Sequence, residues 1–143
     1  MIKVAQIGVG YWGPNLLRNL VANKRCKVAR VVDLSSERQE YVRGLYPAVN
    51  VTDKVEDVLG DPEVEAVVIA TPVATHHNLA MRALSLGKHI LVEKPMARSV
   101  AEAGWNARTS IQPGPAEPTI STSVRISQPA RSSRLATKAM HRA

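Results

Sequence analysis

The sequence contains no phenylalanine, and its aromatic residues are only two tryptophans and three tyrosines. That scarcity removes the stacked-ring platform on which single-stranded nucleic acids are held. A single cysteine, Cys26, excludes an internal disulfide and points to a reducing compartment. No apolar run approaches the ~18 residues needed to cross a bilayer. The start, Met1-Ile2-Lys3-Val4, runs directly into a strand and shows no basic region or cleavage site of a signal peptide. A soluble, cytoplasmic protein without a membrane partner is expected.

What is present is globular in character. A chain of 143 residues with a 45% apolar fraction has room for one domain with a real core, but not for two of ordinary size. The net charge of +7 invites a nucleic-acid reading, yet the excess is unevenly placed. Residues 1–104 hold 13 basic against 11 acidic groups, whereas residues 105–143 hold 6 basic groups against Glu117 alone. The charge belongs to a tail rather than to a folded basic face, so no specific nucleic-acid partner is expected.

Short apolar runs alternate with helical patterns. Strands are predicted at Ile2 to Gly8, Val28 to Val32, Val49 to Thr52, Glu65 to Ala70 and His89 to Val92. Helices are predicted at Pro14 to Ala22, from Ser35 or Ser36 to Leu45, at Lys54 to Leu59 and at Thr75 to Leu86. Leu16, Leu17, Leu20 and Val21 form the apolar side of the first helix, Tyr41 and Val42 that of the second. Nearly continuous apolar strands alternating with helices indicate an α/β fold, a doubly wound parallel sheet of Rossmann type. A further helix begins at Ser99, where Ser99 and Glu102 have capping-box spacing. From Trp105 onward Ser, Pro, Arg, Thr and Gln follow no sustained period, and Pro113, Pro115, Pro118 and Pro129 interrupt any element. The expected organisation is a dinucleotide-binding domain over residues 1–104 and a poorly structured basic tail over residues 105–143.

Gly8-Val9-Gly10-Tyr11-Trp12-Gly13 stands between a predicted strand and a predicted helix, the context the dinucleotide fingerprint requires. Gly8 permits the tight turn, Gly10 lets the backbone approach a pyrophosphate, and Gly13 allows close helix packing. The following helix offers free N–H groups to the anion. Asp33 lies twenty residues beyond Gly13, the offset of an acid that binds the adenosine ribose. The competing reading is a glycine turn that serves packing, with Asp33 as a cap of the next helix. A 2′-phosphate beside Asp33 would place like charges ~4 Å apart, at a cost of up to about 4 kcal/mol per charge pair. NAD is therefore favoured over NADP, although Arg38 turned inward would offset part of the repulsion.

Thr71-Pro72 closes the fourth predicted strand beside the point where a nicotinamide ribose would lie. His76 and His77 follow, and either cofactor contact or solvent exposure suits a histidine there. Metal binding is not expected, because adjacent helical residues point about 100° apart and no third ligand is evident. Glu93-Lys94-Pro95 ends the fifth predicted strand. Lys94 is either a solvated charge or a proton donor or electrostatic anchor for a substrate hydroxyl or carbonyl. An ordinary lysine near pKa ~10.4 is a poor base, so the sharper reading needs a depressed value or a role as charged donor. Pro95 restricts the backbone of Lys94 to an extended form, and Glu93 would orient Lys94 or contact the cofactor.

Three segments, Gly8-Val9-Gly10-Tyr11-Trp12-Gly13-Pro14-Asn15-Leu16, Thr71-Pro72-Val73-Ala74-Thr75-His76 and Gly87-Lys88-His89-Ile90-Leu91-Val92-Glu93-Lys94-Pro95, together resemble the amino-terminal domain of the glucose-fructose oxidoreductase, inositol dehydrogenase and rhizopine-catabolism (Gfo/Idh/MocA) oxidoreductases. The likeness covers about residues 1–104. It implies an NAD- or NADP-dependent oxidoreductase acting on a hydroxyl of a sugar, cyclitol or nucleotide sugar, the last suggested by the Tyr-Trp-Gly-Pro-Asn-Leu run. It implies Gly8, Gly10, Tyr11, Trp12 and Gly13 around the pyrophosphate and Asp33 at the adenosine ribose. It further implies Thr71, Pro72, His76 and Glu93 around the nicotinamide half, Lys94 as the catalytic lysine, and a cis Lys94–Pro95 bond.

Family members continue into one more strand and then a large substrate domain, through which they commonly assemble. That domain supplies an aspartate and a histidine to catalysis. Nothing in residues 105–143 corresponds to it, so the resemblance implies no substrate identity and no oligomeric state for this chain. The alternative to an enzyme is a catalytically inactive dinucleotide-binding module or sensor. A shift of reading frame near Gly104 would explain the change of character, since residues 122–126 read one base out of frame are compatible with His-x-Phe-Glu-Tyr. Sequencing of the gene across codons 100–143 is expected to show the shift; an uninterrupted frame through Gly104 to Arg108 would sink it.

Overall fold

A computed structural model describes residues 1–102 and 120–121. Six parallel strands form one sheet: β1 (Ile2–Ile7), β2 (Cys26–Val32), β3 (Asn50–Thr52), β4 (Ala66–Ile69), β5 (His89–Val92) and β6 (Ile120–Ser121). Four helices connect the first five strands: α1 (Gly13–Ala22), α2 (Ser36–Leu45), α3 (Glu56–Leu59) and α4 (Val73–Ser85). The strand order is β3-β2-β1-β4-β5-β6. From β1 the chain winds outward to β3, then crosses back to β4 and winds the other way. This reversal between β1 and β4 opens a crevice at the carboxyl ends of the strands.

Each face of the sheet carries its own apolar layer. Ala5, Ile7, Val67, Ile69, Ile90 and Val92 pack with Val58 and Leu59 of α3 and with Leu79, Ala80, Ala83 and Leu84 of α4. On the opposite face Val9, Leu17, Val28, Val31 and Val42 join α1 and α2 to β2. Val28 and Val31 share that face although they are three residues apart, which strict alternation forbids. The register between β1 and β2 shifts there, with Val4 opposite Val28 but Ala5 opposite Arg30, so Ala29 is the extra residue of a β-bulge.

The expected elements are all present, with shifted ends. β2 starts two residues earlier than predicted because Ile2 pairs with Cys26. α4 starts at Val73, directly after Pro72. The apolar sides of two helices are narrower than predicted: Leu17 and Val42 are buried, while Val21 and Tyr41 are exposed. A ten-residue helix at the rim of a sheet covers one row of side chains and leaves the neighbouring row to water. Residues 100–102 are helical, and the Ser99 hydroxyl accepts from the Glu102 N–H at 3.3 Å, as the capping-box spacing predicts. The Glu102 carboxylate reaches back to the N–H of Arg98 rather than of Ser99, at 2.8 Å.

Beyond the expected domain, Ile120 and Ser121 pair with Ile90 and Leu91 of β5. The sheet thus gains a strand from a stretch expected to lack order, because the outer edge of β5 presents unpaired backbone groups. The expectation for the rest of residues 105–143 lies outside the described residues.

Away from the crevice, Asp61 joins three parts of the sheet. Its carboxylate accepts from Arg30 Nε of β2 at 3.0 Å and from the Glu63 N–H at 2.9 Å. Its carbonyl and that of Val64 accept from the buried Lys88 Nζ at 2.7 and 2.9 Å. The Glu63 N–H, and after it the Arg30 guanidinium, hold the Asp61 carboxyl below its ordinary value of 3.8. A carboxyl lowered in the folded chain stabilises it fully above the unfolded value, and the contribution disappears as pH falls through the folded value. Asp61→Asn is therefore expected to lower the urea midpoint at about pH 6 and to converge with the parent chain below pH 3.8. A gap between the two that stays constant with pH would refute the pairing.

Candidate functional site

The end of β1 is built around a glycine that no other residue can replace. Gly8 has φ +93°, and a Cβ placed there would lie 2.6 Å from the Ala70 carbonyl oxygen and 2.9 Å from Thr71 Cγ2. The turn can therefore press against the end of β4 only if Gly8 stays bare. At Gly13 a Cβ would lie 2.8 Å from the Gly8 carbonyl oxygen, so the start of α1 also rests directly on the turn. Gly10 differs, because a Cβ there meets nothing within 4 Å. Its freedom faces open space, where a ligand backbone could approach.

Two side chains fasten this turn. Gln6, fully buried in β1, donates through Nε2 to the carbonyls of Gly8 and Gly13, each at 2.9 Å. Asp33, just past β2, accepts from the Val9 N–H at 2.7 Å through one oxygen and from the Ser35 N–H at 2.9 Å through the other. Ser35, not Asp33, caps α2, accepting from the Arg38 N–H at 3.4 Å. Each carboxylate oxygen of Asp33 retains a second lone pair for a ligand hydroxyl.

A cavity of about 860 Å³ lies over this turn and extends across the crevice. Gly8, Gly10, Tyr11, Trp12 and Asp33 line one half, and Thr71, Pro72, Glu93 and Lys94 line the other. Tyr11 and Trp12 stand largely exposed at its mouth with ring centroids 5.5 Å apart, edge to face. At the second half the Thr75 hydroxyl donates to the Pro72 carbonyl at 2.8 Å. With that proton committed, the 2.6 Å contact between Thr75 and Thr71 requires Thr71 to donate. The Thr71 hydroxyl then offers the cavity only its lone pairs. Glu93 is anchored by its N–H to the Ile69 carbonyl at 2.9 Å, and the Lys94–Pro95 peptide is cis.

Two of the eleven residues that the resemblance assigns to the site do not line the cavity. Gly13 serves helix packing. His76 is turned inward, only 1% exposed, with Nδ1 2.8 Å from the Pro95 carbonyl oxygen and Nε2 2.6 Å from that of Thr71. Its ring is spent on the protein's own backbone, because α4 begins early enough to carry it beneath the Thr71–Pro72 turn. Conversely, Leu34, Ser35 and Asn78 line the cavity without having been singled out, and Arg38 joins them. Gln6 was also missed, though a lone amide in an apolar strand just before the glycine turn was a visible signal. Among the described residues, no helix is long and apolar enough to cross a membrane.

Comparison with known proteins matches residues 2–110 to the family described as an oxidoreductase family with an NAD-binding Rossmann fold. An uncharacterized oxidoreductase of Escherichia coli, YdgJ, is 33% identical over 102 residues, covering 71% of this chain and 29% of that protein. The inositol 2-dehydrogenase of Rhodococcus jostii is 34% identical over 101 residues, covering 70% of this chain and 28% of that protein. The crystal structure of GenD2 from gentamicin A biosynthesis, in complex with NAD, superposes with a TM-score of 0.68. It is 32% identical, and the match covers 73% of this chain and 30% of GenD2. The chain thus spans under a third of the length of the curated relatives it matches.

The two outer roles of the glycine turn separate experimentally. Gly8→Ala is expected to cost at least about 3 kcal/mol or to prevent folding, since strain and a backbone clash coincide. Gly10→Ala is expected to keep stability within about 0.5 kcal/mol in the same denaturation experiment. Equal losses for the two would contradict this geometry.

Proposed function

The chain belongs to the Gfo/Idh/MocA oxidoreductases through their NAD-binding Rossmann domain, and from that premise we propose that its cavity binds NAD with both halves of the crevice. The observation that carries the reading is the single cavity that gathers Gly8, Gly10 and Asp33 with Thr71, Glu93 and Lys94. The residues fit the cofactor. Gly10 leaves room where a pyrophosphate would meet the amino end of α1. Asp33 holds a carboxylate ready for a ribose diol, already oriented by two backbone N–H groups. Tyr11 and Trp12 border the pyrophosphate. Thr71, acting as an acceptor, Pro72 and Glu93 enclose the nicotinamide half.

NAD supplies hydride transfer when bound. The chain's own contribution to that chemistry is Lys94, on the cavity wall at the end of β5, which serves a substrate hydroxyl as proton donor or acceptor. The substrate class is a sugar, cyclitol or nucleotide sugar, a small molecule whose hydroxyl is oxidised to a carbonyl or formed from one. Residues 1–104 constitute the cofactor domain, to whose sheet β6, from within residues 105–143, adds an edge strand. A second reading is dinucleotide binding without turnover, which the glycine turn and Asp33 support without any role for Lys94. A hydride-transfer assay over a panel of sugars and cyclitols separates the two: turnover that Lys94→Ala abolishes supports the enzyme, and binding alone supports the module.

Calorimetric titration tests the cofactor itself. NAD is expected to bind at least about tenfold more tightly than NADP, because Asp33 opposes a 2′-phosphate. Asp33→Ala is expected to weaken NAD and to narrow that ratio, with Arg38 then free to favour the phosphate. Tight NADP binding without NAD binding would overturn this assignment of Asp33.

A further inference from the structure

The ring of His76 lies between two carbonyl oxygens, with Nδ1 2.8 Å from that of Pro95 and Nε2 2.6 Å from that of Thr71. A backbone carbonyl only accepts hydrogen bonds, so the ring directs its N–H at the backbone and not at the cavity. Burial at 1% exposure leaves no room for water to substitute at either nitrogen.

The two carbonyls belong to the two turns that form the second half of the cavity. Thr71 closes β4, and Pro95 follows Lys94 after β5. Beside β4–β5 pairing, which ends at Ile69 and Val92, the Glu93 N–H to Ile69 carbonyl bond and His76 join these ends.

We propose that His76 is a positioning residue that clamps the Lys94–Pro95 turn to the Thr71–Pro72 turn. Its effect on binding rests on the cavity being the NAD site. The clamp does not.

Two measurements on the full chain test this. Amide hydrogen exchange over residues 93–98 is expected to be at least about tenfold faster in His76→Ala than in the parent chain. Unchanged exchange there would overturn the clamp. Binding of NAD and of ADP, which lacks nicotinamide and its ribose, is then compared between the parent chain and His76→Ala. Loosening the second half of the cavity is expected to weaken NAD about tenfold while ADP changes less than about twofold. Equal losses for both ligands, or no loss for either, would overturn the positioning role. If His76→Ala does not fold, His76→Phe, which keeps a ring but no donor, carries the same comparison. Failure of the parent chain to bind either ligand would refute the NAD site, and hydrogen exchange would still decide the clamp.

Discussion

The site depends on one contact: the Gly8 turn lying directly against the carboxyl end of β4. A side chain at residue 8 would push the turn off the Ala70 carbonyl, and the crevice between β1 and β4 would change shape. The chain invests two further groups in holding this contact. Gln6 ties both ends of the turn from below, and Asp33 ties Val9 from the side. Gln6 Oε1 is buried without a partner among the described residues. Leaving a buried acceptor unpaired costs about 1–3 kcal/mol. That the amide is nevertheless used here shows how strongly the turn needs two donors at Gly8 and Gly13.

Asp33 shows how a group on the cavity wall and a structural group coincide. Its two oxygens accept backbone N–H groups from different elements, so the carboxylate is oriented before any ligand arrives. Orientation paid during folding need not be paid again on binding. The β-bulge at Ala29 contributes to this placement. It changes the alternation of β2, so that Val31 shares a face with Val28 and Asp33 leaves the strand beside Val9. Without the extra residue, every side chain beyond it would be turned to the other face.

The fold was legible because its signals are local. Apolar runs, Pro14 at the start of α1, Gly87 at the end of α4, and the glycine spacing each identify an element within a few residues. Asp33 was legible by offset alone. The bulge was not, since it exists only as a mismatch between two strands. Burial of Tyr41 and Val21 was overestimated because helical spacing gives a face but not its width. Ile120 and Ser121 gave no signal as a strand, because a two-residue element is defined by the edge it joins rather than by its own pattern.

His76 is the most instructive departure. Adjacent histidines on a helix left cofactor contact and solvent exposure both open, and His76 lies instead buried against backbone, off the cavity wall. The helix begins at Val73, so residue 76 completes its first turn and points beneath the strand ends rather than over them. From there the ring reaches the carbonyls on which the Thr71 and Lys94 turns depend. The crevice thus has fasteners on both sides: Gln6 and Asp33 for the half formed by β1 and β2, His76 for the half formed by β4 and β5. Each fastener bonds to backbone, which leaves the groups that face the cavity free to meet a ligand.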